Sequence, residues 1–240
     1  MISRRELLLG TALAPLAAAP WRRAYGAATA TESRAVSGFD EVSWEAAGEL
    51  LIEQTKREHL SVEAEPAVLS KVVAEVRQRR LHIGFAPGRI ETQLPIRFRL
   101  EVKSLVVLET RGAGEIRIGP LTASGLSLLL AGSENLHLAR LNARTLVVRL
   151  DGSGEIVIGG GEVQSQRVVL AGSGNYSALA LASRQADVAI DGSGNIQVSA
   201  SERLAARIAG AGNVDYRGDA QVSTSVTGAG SVRRADPNKT

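Results

Sequence analysis

The 240-residue chain contains no cysteine. That excludes a disulfide framework, a thiolate zinc site and an anchor built on a lipid-modified cysteine. In an oxidising compartment, a chain without thiols also cannot mispair. Aromatic residues make up only 3% of the sequence, which leaves little material for a stacking platform beneath a sugar ring. Beyond the first thirty residues no apolar run is long enough to cross a bilayer as a helix. An excess of either charge is missing as well. The formal net charge is +3, but four of the 28 basic residues (Arg4, Arg5, Arg22, Arg23) and one of the 25 acidic residues (Glu6) fall within residues 1–30, leaving 24 of each. A balanced chain has no electrostatic footprint for nucleic acid or an anionic membrane. The local cluster Arg77, Arg79, Arg80 is read as a solvated strand end.

Residues 1–30 differ in kind from the rest. A charged start, Ser3-Arg4-Arg5-Glu6, leads into the apolar run Leu7 to Ala19, too short for a spanning helix and suited to the core of a signal peptide. Ala28 and Ala30 frame an Ala-x-Ala cleavage site, placing the mature start at Thr31, with Ala17-Ala18-Ala19 as the alternative. The arginine pair fits twin-arginine export, and a Sec-type signal that holds two arginines is the other reading. Residues 31–240 are then expected to form one domain in the periplasm or attached to the cell envelope. It would comprise irregular early coils and a cap over residues 34–107, then regular repeats over 108–235.

What is present is a phrase repeated seven times: Gly112-Ala113-Gly114, Gly132-Ser133-Glu134, Gly152-Ser153-Gly154, Gly172-Ser173-Gly174, Gly192-Ser193-Gly194, Gly210-Ala211-Gly212 and Gly228-Ala229-Gly230. The first glycines are spaced by 20 residues four times and then by 18 twice. A fixed period of this length means one unit stacked on copies of itself. Apolar residues alternate on both sides of each phrase: Leu128, Leu130 before and Leu136, Leu138 after, then Val148, Leu150 and Ile156, Ile158. Period two marks strands. Strand, glycine corner and strand, with no helical segment between, describe one coil of an all-β parallel β-helix. Glycine suits such corners because they need either positive φ or close backbone approach. Stacking sets equivalent residues about 4.8 Å apart, so Asn175, Asn195 and Asn213, each three residues after a first glycine, are expected to form an amide ladder.

The segment Gly192-Ser193-Gly194-Asn195-Ile196, its variant from Gly172 to Tyr176, and the opening Arg34 to Val42 followed by Gly48 to Ile52 resemble the bacterial family of putative auto-transporter adhesins with a head GIN domain. The resemblance covers residues 34 to 235. It implies a right-handed β-helix in an exported protein and transfers no catalytic residue. The 240 residues leave no segment after the last repeat for an outer-membrane barrel of eight or more strands, so this polypeptide is not expected to act as its own translocator.

Within residues 34–107, strand-like runs are expected at Phe39 to Trp44, Glu49 to Gln54, Leu60 to Ala64, Arg80 to Phe85 and Ile96 to Val102, as early coils of the same solenoid. Pro66 to Val76 is expected to form a short amphipathic helix, with proline in its first turn. At the far end the apolar column breaks at Arg234, and Arg233, Arg234, Asp236 and Pro237 would blunt the edge.

Parallel β-helices also host polysaccharide lyases and hydrolases, so an acid pair has to be considered. Glu115 and Glu155 share one column two coils apart, about 9.6 Å by strand spacing, near the separation an inverting glycosidase uses. Asp151 and Asp191 pair similarly. The plainer reading is solvated acids at coil corners. His59, His82 and His137 have no metal-ligand spacing, the serines of the corners have no partner histidine, and calcium solenoids use a shorter repeat with fixed aspartates. Arg217-Gly218-Asp219 is read as a turn. No catalytic, cofactor or metal residue is assigned. In the outward columns, Leu129, Ala131, Val169 and Ala171 form a flat stripe interrupted by Arg149 and Asp151, the kind of face that contacts an envelope protein, a glycan or a second copy. The expected role is binding, adhesion or scaffolding without catalysis. The alternative is a carbohydrate-active enzyme of the β-helix type.

Overall fold

The computed structural model describes residues 28–235; all but the last three of the thirty residues expected to form a signal peptide, and Asp236 and Pro237, expected to blunt the far edge, lie outside that range. The N-terminal part contains β1 (Ala30–Arg34), β2 (Glu41–Trp44), β3 (Ala47–Gln54), β4 (His59–Ala64), a one-turn helix α1 (Pro66–Leu69), β5 (Val72–Arg77), β6 (Arg80–Phe85) and β7 (Arg97–Val102). The repeats follow as β8 (Val107–Thr110), β9 (Ala113–Leu130), β10 (Asn135–Leu150), β11 (Glu155–Ile158), β12 (Gly161–Leu170), β13 (Asn175–Ala178) and β14 (Leu181–Ile190). The last are β15 (Ile196–Ser199), β16 (Arg203–Ile208), β17 (Asn213–Arg217), β18 (Gln221–Val226) and β19 (Ser231–Arg234).

The repeat strands stack in parallel, coil on coil. Leu136 stands opposite Ile156 and Leu150 opposite Leu170, an offset of one 20-residue period, while Ile196 opposes Val214 and Ile208 opposes Val226 at 18. The ladder between β9 and β10 runs in three stretches, Glu115 to Ile118, Pro120 to Ala123 and Gly125 to Leu130. Each regular coil therefore has three sides, and the glycine phrase forms the corner between two of them. In the 18-residue coils two residues are missing between Val198 and Arg203, so the third side shrinks to a turn.

Alternation places one column in and the next out. The coil from β10 buries Leu136, Leu138, Leu141, Leu146, Val148 and Leu150, each contributing about 1.5–3 kcal/mol on leaving water. The interior is a set of stacked aliphatic columns, interrupted at Tyr176. Its hydroxyl donates to Gln166 Oε1 at 3.0 Å, and Gln166 Nε2 donates to Ser183 Oγ at 3.0 Å. Small neighbours in the same layer, Ala178 and Ala186, leave room for the ring.

Most corner glycines answer to space rather than to backbone conformation. Of the phrase glycines only Gly114 has a positive φ, +132°. Elsewhere a side chain would run into the coil beneath: a Cβ on Gly192 would lie 1.8 Å from the carbonyl oxygen of Gly172. Close stacking, the second of the two reasons considered for glycine, governs these corners.

The N-terminal region departs from expectation in two ways. The helix expected over Pro66 to Val76 is a single turn, Pro66–Leu69, and Val72–Arg77 is instead strand β5, antiparallel to β6. A two-residue turn drives this: Gln78 and Arg79 both take positive φ (50° and 66°), the geometry that joins tightly paired antiparallel strands. Secondly, the early strands do not stack in chain order. β2 lies between β6 and β8, and β3 between β7 and β9, so the β6–β7 coil sits outside the β2–β3 coil. Antiparallel β5, β4 and β1 then cover that end.

Candidate binding face

The side that follows the glycine corner turns a polar column outward. Glu115, Asn135, Glu155 and Asn175 stand in register, as do Asn213 and Ser231. Asn175 Oδ1 accepts from the backbone N–H of Asn195 at 3.0 Å and from its Nδ2 at 3.1 Å. Asn195 Oδ1 accepts in turn from the N–H and Nδ2 of Asn213, at 3.1 and 3.3 Å. Ser231 closes the series, its N–H and hydroxyl both donating to Asn213 Oδ1. Asparagine belongs here because its oxygen satisfies the N–H of the next coil just past the corner while its amide adds a second bond along the stack. In the neighbouring column Ser177 Oγ donates to Gln197 Oε1 at 3.0 Å, and Arg233 Nε donates to Asp215 Oδ1 at 2.6 Å. Asn175, Asn195, Asn213, Ser177, Gln197, Asp215, Arg233 and Glu155 line a shallow groove of about 490 Å³. Four of its lining side chains are amides, Asn175, Asn195, Asn213 and Gln197, and the Asp215–Arg233 pair stands beside them.

Glu115 does not join it. That carboxylate pairs with Arg117 at 2.7 Å and lines a separate groove of about 310 Å³ near Glu49, Arg97 and Arg99. Glu115 and Glu155 thus share a column but line different grooves. Asp151 is held by Arg149 at 2.8 Å. His59, His82 and His137 sit on β4, β6 and β10, and among the described residues no group of three or more His, Asp or Glu side chains is placed to hold a metal ion.

The remaining surface features are largely self-paired. Arg79 bonds Asp40 at 2.5 Å, Arg80 bonds Glu41 at 2.7 Å and Glu109 at 3.0 Å, and Arg77 bonds Glu75, so the arginine cluster is a set of ion pairs. Arg217-Gly218-Asp219 forms the turn into β18, with Gly218 at φ +104° and Asp219 bound to Arg234. In the apolar stripe Leu129 and Val169 are half-buried, and the Arg149–Asp151 pair divides Ala131 from Ala171. One group escaped the reading of the sequence: Glu134, in the column of the second glycine, is wholly buried. Its signal was visible, a carboxylate standing where the phrase otherwise has glycine. No helix among the described residues is long and apolar enough to cross a membrane.

The architecture is that of a parallel β-solenoid displaying regular polar faces, with its acids paired or dispersed. The chain belongs to the family described as "Putative auto-transporter adhesin, head GIN domain", whose model matches residues 38–220. Its fold is similar to that of a crystal structure titled putative adhesin from Bacteroides fragilis, at 20% identity and TM-score 0.81 over 86% of this chain and 97% of the other. It is also similar to one titled putative lipid binding protein from Parabacteroides distasonis, at 26% identity and TM-score 0.70 over 87% and 97%. A third, a putative adhesin from Parabacteroides merdae, matches at 20% identity and TM-score 0.67 over 87% and 97%. No curated protein matches the chain.

Proposed function

We propose that the protein is a non-catalytic adhesion module of the cell envelope, exported by its first thirty residues, which binds an extended, hydroxyl-rich ligand of the polysaccharide class on the amide face. The observation that carries this reading is the hydrogen-bonded column Asn175–Asn195–Asn213 along an exposed groove. Each amide has two N–H donors, and the ladder recorded here engages one of them on Asn195 and one on Asn213. The others form a row repeating at about 4.8 Å, held in place before any ligand arrives, which lowers the ordering cost of binding. The family's description supports adhesion, and the separation of Glu115 from Glu155 into different grooves favours binding over glycoside cleavage.

The test is binding of the purified protein to immobilised envelope polysaccharides. Gln197→Arg fills the groove with a long charged side chain and is expected to abolish binding, whereas Val147→Arg, on another side of the coil, leaves it intact. Equal binding by both variants would contradict the assignment, and release of new reducing ends during incubation would contradict the non-catalytic part.

A further inference from the structure

The two ends of the solenoid are finished differently. At the N-terminal end β5 covers β6 and β4 covers β7. At the other end, among the described residues, β18 pairs only with β16 and β19 only with β17. β19 carries Arg233 and Arg234, tied to Asp215 and Asp219, and charge on an edge resists strand addition. β18 has no such protection. Its residues, Gln221-Val222-Ser223-Thr224-Ser225-Val226, include no charge and no proline.

The free backbone of β18 can be assigned. Gln221 N–H donates to the carbonyl of Glu202 at 3.0 Å and Thr227 N–H to that of Ile208 at 2.9 Å, so the odd positions face inward along the sheet. Successive residues alternate, which turns the N–H and C=O groups of Val222, Thr224 and Val226 to the open side. Val226 is 42% exposed although its neighbour in register, Ile208, is 1% exposed. Val222 to Val226 also reads the same in both directions. In a two-fold antiparallel pairing centred on Thr224, Val222 meets the partner's Val226, Ser223 meets the partner's Ser225, and Thr224 meets its own copy. Valine continues the interior column across the junction, serine faces serine outside, and no like charges are opposed.

We infer that β18 pairs with β18 of a second copy, giving a two-fold dimer with the solenoids end to end. Val222, Thr224 and Val226 each form an antiparallel pair that exchanges both backbone hydrogen bonds. The interface is isologous and the opposite end is covered, so pairing closes at two copies and does not propagate into a fibre. This inference is independent of the ligand proposed for the amide face.

Light scattering on the full chain after size exclusion, combined with hydrogen exchange, tests it. The unaltered protein is expected at twice the chain mass, with the amides of Val222, Thr224 and Val226 protected. Ser223→Lys with Ser225→Lys opposes like charges on the outer face and is expected to give a monomer in which those amides exchange freely. Ser223→Glu with Ser225→Glu is expected to do the same alone, and mixing the two variants to restore the dimer, an outcome that misfolding would not produce. A monomeric unaltered protein overturns the proposal whether those amides are free or are protected by the chain's own residues. So does a dimer that survives the double lysine change, or a mixture of variants that stays monomeric.

Discussion

The buried carboxylate of Glu134 accepts a hydrogen bond from the backbone N–H of Gly112, one coil back, at 2.5 Å. Its second oxygen, Oε2, has no partner, and neither do Trp44 Nε1 nor Thr110 Oγ1 at the same end of the stack. Trp44 Nε1 lies 3.2 Å from where a Cβ on Gly112 would stand, so the indole and the carboxylate flank one corner. This is where the β2–β3 coil meets the first regular repeat. Among the described residues no Lys or Arg pairs with Glu134, and burying an ionisable group without such a partner is costly.

Glu134→Gln is therefore expected to raise the melting temperature, because the amide oxygen still accepts from Gly112 while no ionisable group is left at that position in the core. Glu134→Leu is expected to cost about 1–3 kcal/mol by leaving that N–H unpaired. Denaturant unfolding of both variants, followed through tryptophan emission, checks the two signs.

Gly192→Val is expected to cost about 4 kcal/mol or more, in the range reserved for named structural failures. A Cβ there would lie 1.8 Å from the Gly172 carbonyl oxygen and 2.8 Å from its carbon, and backbone cannot give way without parting the coils. Ser193→Ala, in the exposed middle of the same corner, is expected to be silent. Thermal melts of the pair measure the contrast.

The cap is expected to loosen in acid before the repeats do. Glu58 accepts from the N–H of Gly38 at 3.0 Å and from Lys103 at 3.4 Å. The Gly38 hydrogen bond, with help from Lys103 and against the opposing effect of burial, holds the carboxyl below its ordinary value. A lowered folded-state pKa stabilises the fold above the unfolded value, near 4.3, and that contribution is lost as pH falls through the folded value. Hydrogen exchange in β2 and β3 at falling pH should show it, and Glu58→Gln should remove the acid-dependent part.

The proposed export rests on residues outside the described range. Replacing both Arg4 and Arg5 with Lys is expected to leave an uncleaved precursor in the cytoplasm if the twin-arginine route operates. In the described structure β1 begins at Ala30, so cleavage before Thr31 removes one residue of it. Cell fractionation with N-terminal sequencing reads the result, and mature protein outside the cytoplasm in the variant would point to the Sec route.

The regular coils were legible because each residue is repeated by its neighbour above. Reading Leu136 against Ile156, or Asn195 against Asn213, gives register, burial and the amide column at once. The cap offered no such check. Pro66 to Val76 has the apolar spacing of a helix, yet Val72 and Val76 pair with Phe85 and Leu81 across the sheet, and tertiary pairing overrides local preference. The turn responsible, Gln78-Arg79, carries no glycine to announce its positive φ. Nor does local sequence record that the β6–β7 coil lies outside the β2–β3 coil, a matter of long-range pairing. The corners were found for the right residue, but only the stacked backbone reveals that contact, not dihedral freedom, demands glycine there. Glu134 shows the converse: one break in a repeat marked a buried polar site whose partner, the N–H of Gly112, lies in the neighbouring coil.

The central claim is that the amide column is the binding face, and side-chain amide resonances report on it directly. On titration of the labelled protein with envelope polysaccharide, the Nδ2 protons of Asn175, Asn195 and Asn213 and the Nε2 protons of Gln197 are expected to shift together and saturably, with Gln166 Nε2, buried in the core, unmoved. Binding that leaves those four amides unshifted while perturbing another side of the coil would contradict the account.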